Sequence, residues 1–242
     1  MNKINYEFKN YNTNVTVLFL HGWGLSGNSF DKIIQKLNKV SYIKVDLFGF
    51  GNSEEPRDYF DVYEYAYQIF LLLKKLQVEN LVIVGHSFGG RLSIILSSVF
   101  NINIKSIVLT SSAGINRFSI IKWMKIVTYK ILKKLVSLKI INNKVLIRFG
   151  SRDYQSATFV MKKILSRVVN QDLKHLLKYI KCNVYLVWDK KDKDTPYWIC
   201  RKIHRFTEYS KIILYKSGGH FTAFKNVNKF SCLIKDVVGC CV

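Results

Sequence analysis

The chain has 242 residues and 28.2 kDa, with 49% hydrophobic and 14% aromatic residues; that suits one domain carrying an insertion and excludes a disordered polymer. Lys and Arg number 38 against 16 Asp and Glu, a net charge of +22, but the nucleic-acid signatures that would give such charge a ligand are absent. The excess of Lys, Asn, Ile, Tyr and Phe over Ala and Pro reads as compositional bias, and no nucleic-acid partner is expected.

Cys182, Cys200, Cys232, Cys240 and Cys241 are odd in number and have no metal-ligand spacing, so a reduced compartment is expected. Met1–Asn10 has no apolar core of the signal-peptide kind. Lysines interrupt the longest apolar stretch, Ile120–Ile140, before it could span a bilayer. The expectation is a cytoplasmic protein.

Val15–Leu20 is a nearly continuous apolar run and reads as a buried strand. Phe30, Ile33, Ile34 and Leu37 have helical spacing, so a helix is predicted over Phe30–Leu37. A strand follows at Tyr42–Asp46, a glycine-bearing loop through Gly49 and Gly51, and a helix over Val62–Leu76. Leu81–Val84 reads as a third strand, Arg91–Phe100 as a helix and Ile107–Thr110 as a fourth strand. From about Ile115 to Ile180 the periodicity is helical only. Strands resume at Val184–Trp188 and Ile212–Tyr215, with a helix after Pro196 and a last one from Thr222 to about Val238. Alternating strands and helices indicate an α/β fold: a mostly parallel, doubly wound sheet covered on both faces. The helical stretch then stands as an insertion at its edge.

Gly85-His86-Ser87-Phe88-Gly89 is a G-x-S-x-G set after an apolar strand and before a helix. That context places a serine on a tight turn with its hydroxyl exposed and small residues at its sides. A serine nucleophile needs a base, and the base needs a carboxylate. Of the five histidines, His21 and His86 lie in glycine-bearing turns and His175 and His204 in helical stretches; His220 follows Gly218-Gly219 in the loop after the last strand and is the expected base. The loop after Trp188 offers Asp189, Asp192 and Asp194; one is expected to reach His220 and the other two to be solvated loop charges. His21-Gly22-Trp23-Gly24 follows the first strand, and the backbone N–H groups of Trp23 and Phe88 are the expected oxyanion donors.

Together these residues resemble the α/β-hydrolase superfamily. Asp46-Leu47-Phe48-Gly49-Phe50-Gly51-Asn52-Ser53 is similar to its D-L-x-G-x-G-x-S loop, with Phe48 where proline is common. Trp188, Asp192 and Pro196 fall in register with its W-G-x-x-D-x-x-x-P segment. The resemblance therefore implies Asp192 as the triad acid, beside Ser87 and His220, with Asp194 in reserve because Asp189 stands where the pattern has glycine. It implies a serine hydrolase acting on a small acyl ester, with thioesters and carbon–carbon bonds beside a ketone as alternatives, and no cofactor or metal. Ser87 disfavours the aspartate-nucleophile relatives. The non-enzymatic alternative, a binding protein on the same scaffold, would be expected to lack one of the three roles.

The resemblance divides the chain into a core domain, residues 1–114 and 181–242, and a helical cap, 115–180. The cap carries 15 basic residues against Asp153 and Asp172, interleaved with Trp123, Ile126, Val127, Ile131 and Leu135. The favoured reading is an amphipathic cap with a solvated lysine face; the alternative is weak peripheral contact with anionic membrane.

Overall fold

The computed structural model describes residues 3–116, 120–138, 140–142, 145 and 152–239, with the backbone alone at 120–126 and 152–153. Seven strands form one sheet in the order β1-β3-β2-β4-β5-β6-β7: β1 Asn5–Lys9, β2 Thr16–Leu20, β3 Ser41–Asp46, β4 Leu81–His86, β5 Ile104–Thr110, β6 Asn183–Trp188 and β7 Ser210–Leu214. All pairs are parallel except β1 with β3.

Successive residues on a strand face opposite sides of the sheet, and here both sides are covered. Leu18 and Leu20 of β2 join Ile83, Leu109 and Leu186 in a core under α2 (Val62–Lys75) and α3 (Phe88–Val99). Val17 and Phe19 join Val82, Val84, Val108 and Val187 under α1 (Asp31–Ile34) and α9 (Val227–Gly239). This two-sided burial is why the central strands are unbroken apolar runs rather than alternating ones. Asp61 starts α2 with a capping box: its side chain accepts from Tyr63 and Glu64 N–H while the Glu64 carboxylate accepts from Asp61 N–H. Such a cap is typically worth about 1 kcal/mol.

Three departures from the sequence reading have local causes. Strand β1 was not predicted, because Asn-Tyr-Glu-Phe-Lys is half-buried at the sheet edge and lacks an apolar run. The helix expected over Phe30–Leu37 is a 3-10 turn, Gly27–Phe30, followed by the single turn α1; i to i+3 bonds from Lys36 and Leu37 N–H tighten its end. The helix expected from Thr222 onward is split into α8, Thr222–Lys225, and α9, because Asn226 turns the chain and its amide donates to the Ser217 and Thr222 carbonyls.

Between β5 and β6 the described residues form helices and no strand: α4 Ile120–Ser137, α5 Arg152–Ser156, α6 Phe159–Val168 and a 3-10 helix, Lys174–Tyr179. The last helix before β7 is α7, Tyr197–Phe206. Arg117, Lys139, Lys144 and Arg148 of the basic stretch, and Cys240 and Cys241, lie outside the described residues. Among those described, no helix is long and apolar enough to cross a membrane.

Candidate active site

Ser87 sits between β4 and α3 with φ 48° and ψ −105°, a conformation that costs a non-glycine residue on the order of 1–3 kcal/mol. The surroundings enforce it. Ser87 N–H donates to the Thr110 carbonyl at 3.2 Å, and its own carbonyl accepts from Ala113 N–H at 3.0 Å and Gly90 N–H at 3.1 Å. Two glycines let the backbones close around the turn: a Cβ at Gly85 would stand 2.7 Å from the Gly89 carbonyl oxygen, and one at Gly89 would collide with the Leu20 carbonyl of the neighbouring strand.

His220 and Asp192 meet across the ends of β6 and β7. His220 Nδ1 lies 3.1 and 3.2 Å from the two Asp192 carboxylate oxygens and 3.2 Å from Thr195 Oγ1. The carboxylate is buried and also accepts from the N–H groups of Asp194 and Thr195, each at 2.9 Å. Burial raises the Asp192 carboxyl, but hydrogen bonds from His220 and Thr195 outweigh it and hold the group below the usual carboxylate range. With Nδ1 facing the acid, Nε2 is the nitrogen left for a reaction partner.

Asp189 corrects the expectation that the other loop acids are solvated. It is buried, and its oxygens accept from Lys191 N–H at 2.9 Å and Gly219 N–H at 2.8 Å. The residue that breaks the family pattern therefore clamps the loop immediately before His220. Asp194 is exposed, as expected, and forms no hydrogen bond to His220. Asp192, Asp194 and His220 offer atoms within 4.8 Å of one another, the spacing of a metal site. Asp192 and His220 already face each other, however, so the arrangement is a hydrogen-bonded pair rather than an open set of ligands.

The turn after β2 is built on His21, which is buried. Leu47 N–H donates to His21 Nε2 at 2.9 Å, so Nδ1 carries the proton and donates to the Gly22 carbonyl at 2.7 Å. Burial lowers the His21 pKa to about 4. Asp46 and Ser53 tie the neighbouring loop: Asp46 accepts from Gly27, Asn52 and Asn5, and Ser53 Oγ donates to the Asp46 carbonyl. The turn is joined to the elbow by Gly89 N–H, which donates to the His21 carbonyl at 3.0 Å. The Trp23 ring packs edge-on against Phe88 and Phe50. Among the described residues, neither Trp23 N–H nor Phe88 N–H has a protein acceptor.

Ser87, His220, Trp23 and Phe88 line one cleft of about 870 Å³, at the C-terminal ends of the strands. This is where an open α/β sheet presents its ligand site. Leu165, Val168 and Val169, from the end of α6, form part of its wall. A groove of about 770 Å³ at the opposite end of the sheet, beside Lys74, Glu79 and Asn103, contains none of these groups. The structure thus brings Ser87, His220, Trp23 and Phe88 to one cleft, with Asp192 behind the base. Sequence reasoning gave His86, Thr195 and Arg91 no part in this site and weighed Asp189 only as a candidate acid. Of these, only Thr195 carried a local signal, its place beside Asp192 and Pro196.

Residues 15–130 match the family model described as alpha/beta hydrolase fold. The AB hydrolase superfamily protein YisY of Bacillus subtilis is 22% identical over 90% of this chain and 89% of its own length. Lipase 1 of Psychrobacter immobilis is 25% identical over 84% of this chain and 70% of its own. Among solved structures, an esterase from Exiguobacterium antarcticum superposes with a TM-score of 0.77 at 20% identity, covering 98% of this chain and 96% of that one.

Proposed function

Since the chain belongs to the α/β-hydrolase superfamily and is an enzyme of hydrolase type, we propose that it cleaves small acyl esters through Ser87, His220 and Asp192. The observation that carries the reading is the contact of His220 Nδ1 with the buried Asp192 carboxylate at 3.1 Å, behind a cleft that Ser87 also lines. The names of two lipase relatives support an ester ahead of the thioester and carbon–carbon alternatives.

The mechanism follows from the positions of the groups. A substrate carbonyl enters above Ser87, whose Oγ attacks the carbonyl carbon while its proton passes to His220 Nε2. Asp192 fixes the imidazole tautomer and stabilises the imidazolium that forms. The Trp23 and Phe88 N–H groups, without a protein acceptor among the described residues, are the donors to the oxyanion in this reading; loss of one such donor typically costs on the order of 10²–10³ in turnover. His220 then protonates the departing alcohol oxygen as the carbon–oxygen bond breaks, leaving the acyl group on Ser87. A water deprotonated by His220 attacks that ester, and the acid leaves with the serine proton restored. Among the described helices between β5 and β6, α6 is the part of the cap that walls this site, through Leu165, Val168 and the following Val169.

The test is labelling by a fluorophosphonate probe, followed by screening of short-chain esters. Wild type is expected to label, Ser87→Ala not at all, and His220→Ala and Asp192→Asn far more slowly. Folded wild-type protein that takes up no probe would favour a binding protein instead.

A further inference from the structure

Arg91 is one helical turn beyond Ser87 on α3, roughly 6 Å along the axis and on the same side of the helix. It is 5% exposed, and it is the only Lys or Arg among the described residues that line the cleft, in a chain that has 38. Its guanidinium makes one hydrogen bond, from Nη1 to the Gln171 carbonyl at 2.6 Å, and forms no ion pair among the described residues. Asp172 is the acid whose charge it feels, but that carboxylate is occupied, accepting from Asn116 N–H at 2.9 Å and Lys174 N–H at 2.7 Å.

A cation withdrawn from water needs a partner, because desolvation costs far more than one neutral hydrogen bond returns. The strain of burial shows in the pKa, which is brought down to about 10 against the opposing pull of Asp172. The remaining donors of the guanidinium are the fork that accepts a carboxylate in two parallel bonds. Ile115, Leu165 and Val168 of the same cleft are apolar and suit the methylene chain between two polar ends, whereas Asp194, the one acid of the lining, follows β6.

We propose that Arg91 binds a carboxylate on the substrate, so that the substrate class is a monoester of a dicarboxylic acid. The inference rests on the serine-hydrolase reading above and adds the acyl group to it. Given the helical rise and the reach of an arginine side chain, the two carbonyl carbons are separated by on the order of four methylenes. The reaction is unchanged: Ser87 takes up the half-acid acyl group, alcohol leaves, and water releases the dicarboxylate.

The experiment compares kcat/KM for monomethyl adipate and methyl hexanoate in wild type, Arg91→Gln and Arg91→Lys. Wild type is expected to prefer the adipate, and Arg91→Gln to lower the adipate-to-hexanoate ratio about 100-fold, as expected for removal of one partner of a buried charge pair. Arg91→Lys, keeping the charge but losing the fork, should fall between. A ratio that Arg91→Gln leaves unchanged, with both esters slowed alike, would reduce Arg91 to its tie to Gln171 and overturn the proposal. If Arg91→Gln fails to fold, wild type decides alone: adipate must slow fluorophosphonate labelling at lower concentration than hexanoate does, and equal protection overturns the proposal. Wild type that neither labels nor cleaves either ester sinks the hydrolase reading instead. Calorimetric binding of adipate to Ser87→Ala, lost in the double variant with Arg91→Gln, then still tests the anion site.

Discussion

His86 Nε2 donates to the main-chain carbonyl of His220 at 3.0 Å, so the residue preceding Ser87 holds the backbone of the proposed base. Burial, followed by the nearby His220, lowers the His86 pKa to about 3, and the ring is neutral at ordinary pH. Its acceptor fixes the proton on Nε2; among the described residues Nδ1 has no hydrogen-bond partner. His86→Leu is expected to lower kcat about 10- to 100-fold with little change in KM, since misplacement of the base acts on the chemical step. His86→Gln, which keeps a donor, should recover part of that loss. Labelling of His86→Leu at the wild-type rate would show that the contact does not position His220.

Asp189 is expected to contribute to both stability and turnover. Asp189→Ala leaves the N–H groups of Lys191 and Gly219 without their carboxylate. A loss of about 2 kcal/mol follows for hydrogen bonds to a buried charge, or roughly 4–8 °C in Tm for a domain of this size. Thermal unfolding of Asp189→Ala at the wild-type temperature would contradict the clamp.

Relief of strain at Ser87 should be measurable apart from activity. Ser87→Gly accepts φ 48° without a Cβ penalty. It is expected to stabilise the fold by about 1 kcal/mol, the strain relieved less the greater freedom of the unfolded chain. Ser87→Ala retains the Cβ and should melt near wild type, while both variants are inert to the probe. Equal melting of Ser87→Gly and Ser87→Ala would mean that the elbow is not strained.

Two buried histidines set the acid limit of the protein. His21 and His86 have folded pKa values of about 4 and about 3 against 6.5 in the free residue. The unfolded chain therefore binds more protons below pH 6.5, and stability falls as pH drops from there towards the folded values. Each approaches about 1.4 kcal/mol per pH unit once the unfolded ring is fully protonated, so the pair costs about 3 kcal/mol between pH 6.5 and 5. Asp192, lowered from 3.8, adds its loss only below that value. Urea unfolding at pH 7 and pH 5 measures the slope; a flat profile would mean that these rings take up protons as readily in the native state as in the unfolded chain.

The parallel strands were legible because both faces are buried, which writes each as an apolar run in the sequence. The turns that carry Ser87, Asp192 and His220 were legible because they follow such strands and draw on glycine, proline and polar residues. Groups whose role depends on a distant partner were not. Asp189 looked like a departure from a pattern, and its use became visible only with Gly219, 30 residues away, at 2.8 Å. Arg91 looked like any residue in the first turns of a helix until Gln171 and the cleft wall closed around it. Strand β1 was missed because only one of its faces is packed: Tyr6 and Phe8 lie against the core and alternate with polar residues, so no apolar run marks the strand.

The order of strands also decides when the serine becomes reactive. Ser87 leaves β4 in the middle of the sheet, whereas Asp192 and His220 follow β6 and β7 at one side of it. A chain lacking that side of the sheet would keep the bent elbow but have no His220 beside it. On the proposed reading, uptake of the probe therefore counts molecules whose sheet is complete to the β7 edge rather than merely compact ones.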